Sequence, residues 1–242
     1  YFNFDEDQGN LSIRWFKPLY KKHFQITSFY IYNNLIDSIK SFNKKFLKRK
    51  NCSIIYDRFF NYTLTTSQPC AGSDYIAFKN LKKFEKNLNL EIKKNLKIKF
   101  HPKDHFNMMN VQNIFARYKI NDKNIINTYK KSRIIICFYP ETTFSEALSH
   151  NIPTILFIPK GIYKLHNETK EILSNLKKSK IFFDDPKKMA LHLNKIWHNP
   201  IKWWNSTQTI NSKNLIKKDI LGIKKGVTLI ERWNYLLNKI LR

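Results

Sequence analysis

The chain has 242 residues, 42% hydrophobic, 15% aromatic and 26% charged, enough apolar material for a packed core in one large domain or two small ones. Only five Gly and eight Pro exclude collagen-like and low-complexity classes. Lys+Arg 44 against Asp+Glu 18 leave a formal charge of +26, but the lysines are spread along the chain. Their abundance beside Asn and Ile is what an A+T-biased genome produces, so charge by itself names no partner.

Cys52, Cys70 and Cys137 are widely spaced with no Cys-x-x-Cys pair, which indicates neither a disulfide framework nor a zinc site and suits a reducing compartment. The longest apolar run, around Ile134 to Tyr139, is far below the ~18 residues of a membrane span. The sequence opens at Tyr1 without Met or a signal-peptide pattern, and it reads as a piece of a longer chain.

Residues 1–25 combine Asp5, Glu6 and Asp7 with Trp15, Phe16 and Tyr20 and show no clear period. From Thr27 to Arg49, Leu35, Ile36, Ile39, Phe42 and Phe46 follow helical spacing. Cys52 to Tyr56 reads as a strand, followed by the loop-forming run 65–73. Residues 75–95 read as one helix, and Leu96 to Phe100 as a strand stopped by His101-Pro102. Short helices are predicted over 110–118 and 122–131, the second ending in Lys130-Lys131. Arg133 to Tyr139 and Ile152 to Ile158 are continuous apolar runs, the pattern of strands covered on both faces, with a helix from Glu141 to Leu148 between them. Helices over 165–178 and 187–198 flank a short strand at Ile181 to Phe183. The polar stretch 205–226 leads to an amphipathic helix from Val227 to Leu241. This alternation predicts an α/β, Rossmann-like, doubly wound parallel sheet with a helical C-terminal tail.

The run Tyr139-Pro140-Glu141-Thr142-Thr143-Phe144-Ser145-Glu146 is the most informative stretch. A buried strand that turns directly into a helix aims free backbone N–H groups and the positive helix end at the crevice above the sheet, where a phosphate can sit. Thr142 or Thr143 can instead act as a helix N-cap, with Glu146 completing a capping box from Thr143; the two roles are compatible. Lys97, Lys99, His101, Lys103, Asp104 and His105 crowd the end of the second strand and are expected at the same C-terminal sheet edge. His101 there can act on a phosphate leaving group or sit in a plain surface loop. His23, His150, His166, His192 and His198 lack metal-ligand spacing and read as structural. Asp184-Asp185-Pro186 reads as a turn and N-cap, and Trp197, Trp203 and Trp204 as aromatics closing the core rather than a sugar platform. No Gly-x-Gly-x-x-Gly, P-loop or Gly-x-Ser-x-Gly motif occurs.

The segment SRIIICFYPETTFSEALSHNIPTILF, Ser132 to Phe157, resembles the donor-binding segment of the C-terminal domain in GT-B glycosyltransferases. The resemblance is closest to a family of bacterial transferases linked to surface polysaccharide synthesis. It extends to the Pro-x-Asp element within Lys99 to Asp104, to Ile181-Phe-Phe-Asp-Asp-Pro186 and to the tryptophan-rich run Ile196 to Ser206, together covering about 50–240. His101, Lys103 and His105 depart from that family's pattern.

The resemblance implies a metal-independent transferase with no cofactor beyond its nucleotide-activated sugar donor, acting on a surface glycan or lipid-linked glycan. Thr142 and Thr143 would contact donor phosphates, Glu146 would approach the ribose, and Lys99 or catalytic His101 would balance the leaving phosphate. Asp104, Tyr139, Pro140 and Glu141 complete the predicted substrate site. The implied organisation is a remnant of an acceptor domain over 1–50, a nucleotide-sugar domain over 51–204 and a tail over 205–242. The cysteine usage fits a cytoplasmic location, and a further reading compatible with this one has the lysine-rich face docking on anionic lipid. A basic nucleic-acid-binding module without catalytic activity is the less favoured alternative.

Overall fold

The computed structural model describes residues 49–56, 73–100, 111–121, 124–138, 140, 142–160 and 167–219, with 231, 234 and 238. The predicted helix over 27–49, apart from Arg49, and the helix over 227–241, apart from isolated positions, lie outside these residues, as does most of the 65–73 loop.

Five strands form one parallel sheet: β1 (Asn51–Ile55), β2 (Leu96–Lys99), β3 (Ser132–Cys137), β4 (Thr154–Phe157) and β5 (Phe182–Phe183), in the order β2-β1-β3-β4-β5. The helices are α1 (Ser73–Lys86), α2 (Leu90–Asn95), α3 (Val111–Ile114), α4 (Ile125–Lys131), α5 (Thr142–Ser149), α6 (Asn167–Lys178), α7 (Pro186–Ile196), α8 (Pro200–Trp204) and α9 (Thr207–Asp219).

Both faces of the sheet are covered, which is why β3 and β4 read as unbroken apolar runs. Successive side chains alternate between faces. Ile134, Ile136 and Phe138 pack with Phe78, Leu81 and Phe84 of α1 and with Met189 and Leu193 of α7. Ile135 and Cys137 pack on the other face with Tyr129 of α4, Phe144 and Leu148 of α5, Leu176 of α6 and Ile216 of α9. The result is the doubly wound α/β architecture that the alternation of elements predicts.

Two stretches differ from the sequence reading. The single helix predicted over 75–95 is two helices, α1 and α2, broken at Asn87 to Asn89. The break is held by α7: Asn194 donates from Nδ2 to the Asn87 carbonyl at 3.0 Å and accepts from the Asn89 N–H at 3.0 Å through Oδ1. The polar stretch 205–226 contains helix α9. Its polarity conceals a docking face, because Thr209, Ser212, Lys213 and Ile216 are all buried.

Local signals hold elsewhere. Asp185 caps α7 by accepting from the Lys188 N–H at 2.9 Å, ahead of Pro186 at the first helical position. That backbone hydrogen bond, more than any other influence, holds its carboxyl below the usual range. The indole N–H groups of the described tryptophans are used inside the protein: Trp197 donates to Glu91 Oε1 at 2.8 Å, Trp203 to the Ser179 carbonyl at 2.9 Å and Trp204 to Asn151 Oδ1 at 3.0 Å. Trp197 and Trp204 are buried, so this cluster closes the core.

Candidate active-site crevice

In a sheet ordered 2-1-3-4-5, the chain leaves β1 toward β2 on one side and continues from β3 on the other, so loops diverge and open a crevice beyond the C-terminal ends of β1 and β3. Here that edge rests on a row of aromatic rings. Phe100 follows β2, Tyr56 follows β1, Phe138 follows β3, and Phe157 ends β4. Their centroids step by 5.5 Å, 5.3 Å and 5.1 Å in the order of the strands. All four are buried and form a rigid apolar floor.

Helix α5 begins five residues after the end of β3. Thr142 is its first residue, and Thr143, partly exposed, is its second. The Thr143 side chain reaches back to hydrogen-bond Cys137, the last residue of β3. Burial pushes the Cys137 thiol up to about 12; the Thr143 hydrogen bond opposes the shift and the Glu146 charge adds to it. The thiol is therefore a structural contact, not a nucleophile.

Glu146, one turn further on, is 4% exposed, and its Oε2 accepts a hydrogen bond from the Tyr129 hydroxyl at 2.6 Å. That hydroxyl is also 3.4 Å from the Thr143 carbonyl, so α4 grips the first turn of α5. The Tyr129 ring lies 5.7 Å from that of His150. Burial, with the Arg49 charge as a second cause, depresses the His150 pKa, and burial lowers Arg49 itself to about 10. Sequence reasoning singled out neither Tyr129 nor Arg49, because their partners are remote in the chain and no local pattern links them.

Lys99, the last residue of β2, pairs in register with Ile55, which pairs in turn with Cys137. The three residues form one row at the strand ends, and two strand spacings separate Lys99 from Cys137 by roughly 10 Å. The predicted grouping of a cation with the β3–α5 turn is thus realised for Lys99. It is not realised for Lys97. That residue pairs with Ser53 in the middle of β1 and lines a cavity reaching Asn51 at the opposite end of the strand. The period of two that keeps both lysines on one face also sets Lys97 two residues back from the edge.

Pro140 is buried at the β3–α5 turn. His101, Asp104, Tyr139 and Glu141, with Lys103 and His105, lie outside the described residues, as do the side chain of Thr142 and all of His23 and His166. His150 is buried, His192 is half-buried, and exposed His198 lies 3.8 Å from Glu91 Oε2. Among the described residues no group of three His, Cys, Asp or Glu side chains is placed to hold a metal ion, and no helix is long and apolar enough to cross a membrane.

The family match agrees with the transferase reading of the sequence. A search of curated proteins gives no match. Among solved structures, the wall teichoic acid polymerase TagF is similar at 14% identity and a TM-score of 0.44, over 89% of this chain and 52% of the polymerase. A single-residue variant of that polymerase matches at 13% identity and a TM-score of 0.41, over 90% and 57%. The chain therefore spans about half the length of the solved structures that it matches. The profile of the LIC12162 family of transferases matches residues 31–219, and the chain belongs to that family.

Proposed function

We propose that this chain is the donor-binding part of a GT-B glycosyltransferase that moves a sugar from a nucleotide-activated donor to a bacterial surface glycan or its lipid-linked precursor. The observation that carries this reading is the start of α5 at the switch point between β1 and β3, five residues beyond Cys137, which lies in one row with Lys99. Membership in a transferase family supports it.

In this mechanism the free N–H groups at Thr142 and Thr143 face the diphosphate or monophosphate of the donor, and the positive end of α5 favours its charge. Lys99 balances the negative charge that grows on the phosphate as the glycosidic bond breaks, which is electrostatic catalysis that asks for no metal. The resemblance adds His101 as the group that meets the leaving phosphate. Glu146 serves the site from beneath: its buried carboxylate, bound by Tyr129, fixes the first turn of α5 and so aims the amides. The enzyme would work in the cytoplasm, with its lysine-rich surface against the anionic inner face of the membrane.

The test is a thermal-shift series of the purified chain against UDP, GDP, ADP, CDP and CMP at physiological salt, repeated with Thr143→Ala. A ligand that binds only the folded state raises its stability by mass action. Stabilisation by one nucleotide that shrinks in the variant supports the reading and identifies the donor base. A flat response to all five, with a shift from single-stranded DNA that vanishes in salt, would transfer the assignment to nucleic-acid binding.

A further inference from the structure

A cavity of about 280 Å³ opens on the face of the sheet that carries α4, near the start of β1 rather than at the crevice. Three ammonium-bearing side chains line it: Lys97 from β2, Lys119 from the segment that bridges to β2, and Lys131 from the end of α4. Asn51, Asn121 and Asn127 also line it, and among the described residues no carboxylate does. None of the three lysines makes an ion pair with a described residue. Three like charges around one hollow repel one another, and an anion that sits between them turns the repulsion into attraction.

A second, independent observation marks the same hollow. Thr128, which lines it, is 4% exposed, and its hydroxyl is buried without a hydrogen-bond partner. Such a group carries an uncompensated desolvation cost, and native proteins seldom leave one unless a ligand or water completes it. The neighbouring hydroxyls are satisfied: Ser132 donates to the Thr128 carbonyl at 2.6 Å and lies 2.7 Å from the Ser53 hydroxyl, which leaves Ser53 as the donor of that pair.

We propose that this cavity is a binding site for a small phosphorylated anion, held by Lys97, Lys119 and Lys131, with Thr128 and the asparagine amides meeting its oxygens. Lysine supplies point charges and amides supply oriented donors, a set that suits a compact polyanion with several acceptor oxygens. The volume lies just below the usual range for small-molecule sites, which limits the ligand to a phosphate or a short phosphate ester rather than a whole nucleotide sugar. The inference is independent of the donor assignment to the crevice.

The test titrates inorganic phosphate and, separately, glucose 1-phosphate into the chain at constant ionic strength. Calorimetry or thermal stability is read for wild type, Lys97→Gln/Lys131→Gln and Thr128→Val. The expected result is saturable binding of at least one probe, weakened about tenfold or more in the double variant and measurably in Thr128→Val. Unliganded Thr128→Val should be at least as stable as wild type, because it deletes a buried hydroxyl that has no partner. Preference for one probe tells free phosphate from a phosphate ester. Binding unaffected by all three substitutions, or a response that chloride reproduces at equal ionic strength, overturns the proposal. So does a response to single-stranded DNA alone. Thr143→Ala, which tests the crevice, should leave phosphate binding intact, so failure of one reading is distinct from failure of the other.

Discussion

The Tyr129 hydroxyl donates to Glu146 Oε2 at 2.6 Å, joining the helix that precedes β3 to the helix that follows it. The carboxylate is buried, so its charge is stabilised by partners rather than by water. Tyr129→Phe should keep the ring packing and remove one of those partners, at a cost of about 1–3 kcal/mol. Urea unfolding measures it. A variant with the wild-type midpoint and slope would show that the pair does not hold α5.

Burial pushes the Cys52 and Cys137 thiols up to about 12, and both are nine-tenths or more buried. At pH 8 neither should react with a thiol reagent in the folded protein, and both should label on unfolding, because only the thiolate attacks. Peptide-resolved mass spectrometry after timed labelling reads each site. Rapid native modification of Cys137 would contradict the packed β3–α5 turn.

His192 lies between the rings of Phe183 at 5.4 Å and Trp203 at 5.1 Å. Burial first, then the charges of Lys180 and Lys195, lower its pKa from 6.5 to about 4. Between those values the unfolded chain takes up a proton that the folded chain refuses, so stability rises with pH across the window. The contribution is complete above about 6.5 and is lost as pH falls toward 4. His150, depressed by burial and Arg49, acts in the same direction. Stability of wild type and His192→Gln, compared from pH 4 to 7, should show a shallower acid limb for the variant; parallel limbs would rule out the assignment.

Lys213 of α9 is buried, with its ammonium 2.9 Å from the Trp204 carbonyl, 3.3 Å from Asn151 Oδ1 and 4.4 Å above the Trp204 ring. Asn151 holds φ 52°, a left-handed conformation that asparagine tolerates better than most residues. Lys213→Met keeps the apolar stem and deletes the donor that the Trp204 carbonyl accepts, while Asn151 Oδ1 keeps the Trp204 indole N–H. Hydrogen exchange should accelerate in α9 well beyond any change in β3. Equal protection in both proteins would show that α9 is held by its apolar contacts alone.

How much the sequence determined can be followed residue by residue. Continuous apolar runs at β3 and β4, a polar turn before α5 and Asp185-Pro186 ahead of α7 are local signals, written within a few residues by strand burial, helix capping and the fixed φ of proline. They sufficed for the α/β class and for the place of the β3–α5 turn. The break at Asn87 to Asn89 was not legible, because Asn194 secures it from more than a hundred residues away. Nor was α9, whose buried polar side chains find their partners only across the fold: Lys213 at Trp204 and Asn151, Thr209 at the Ser179 carbonyl and Ser212 at the Asn175 carbonyl. The tertiary structure alone decided that Lys99 sits at the C-terminal edge of the sheet while Lys97, two residues back, lines a cavity near the start of β1, and that Tyr129, Glu146, Arg49 and His150 share one buried region. Period and capping act along the chain, whereas charge, burial and hydrogen bonding act across whatever distance the fold has closed.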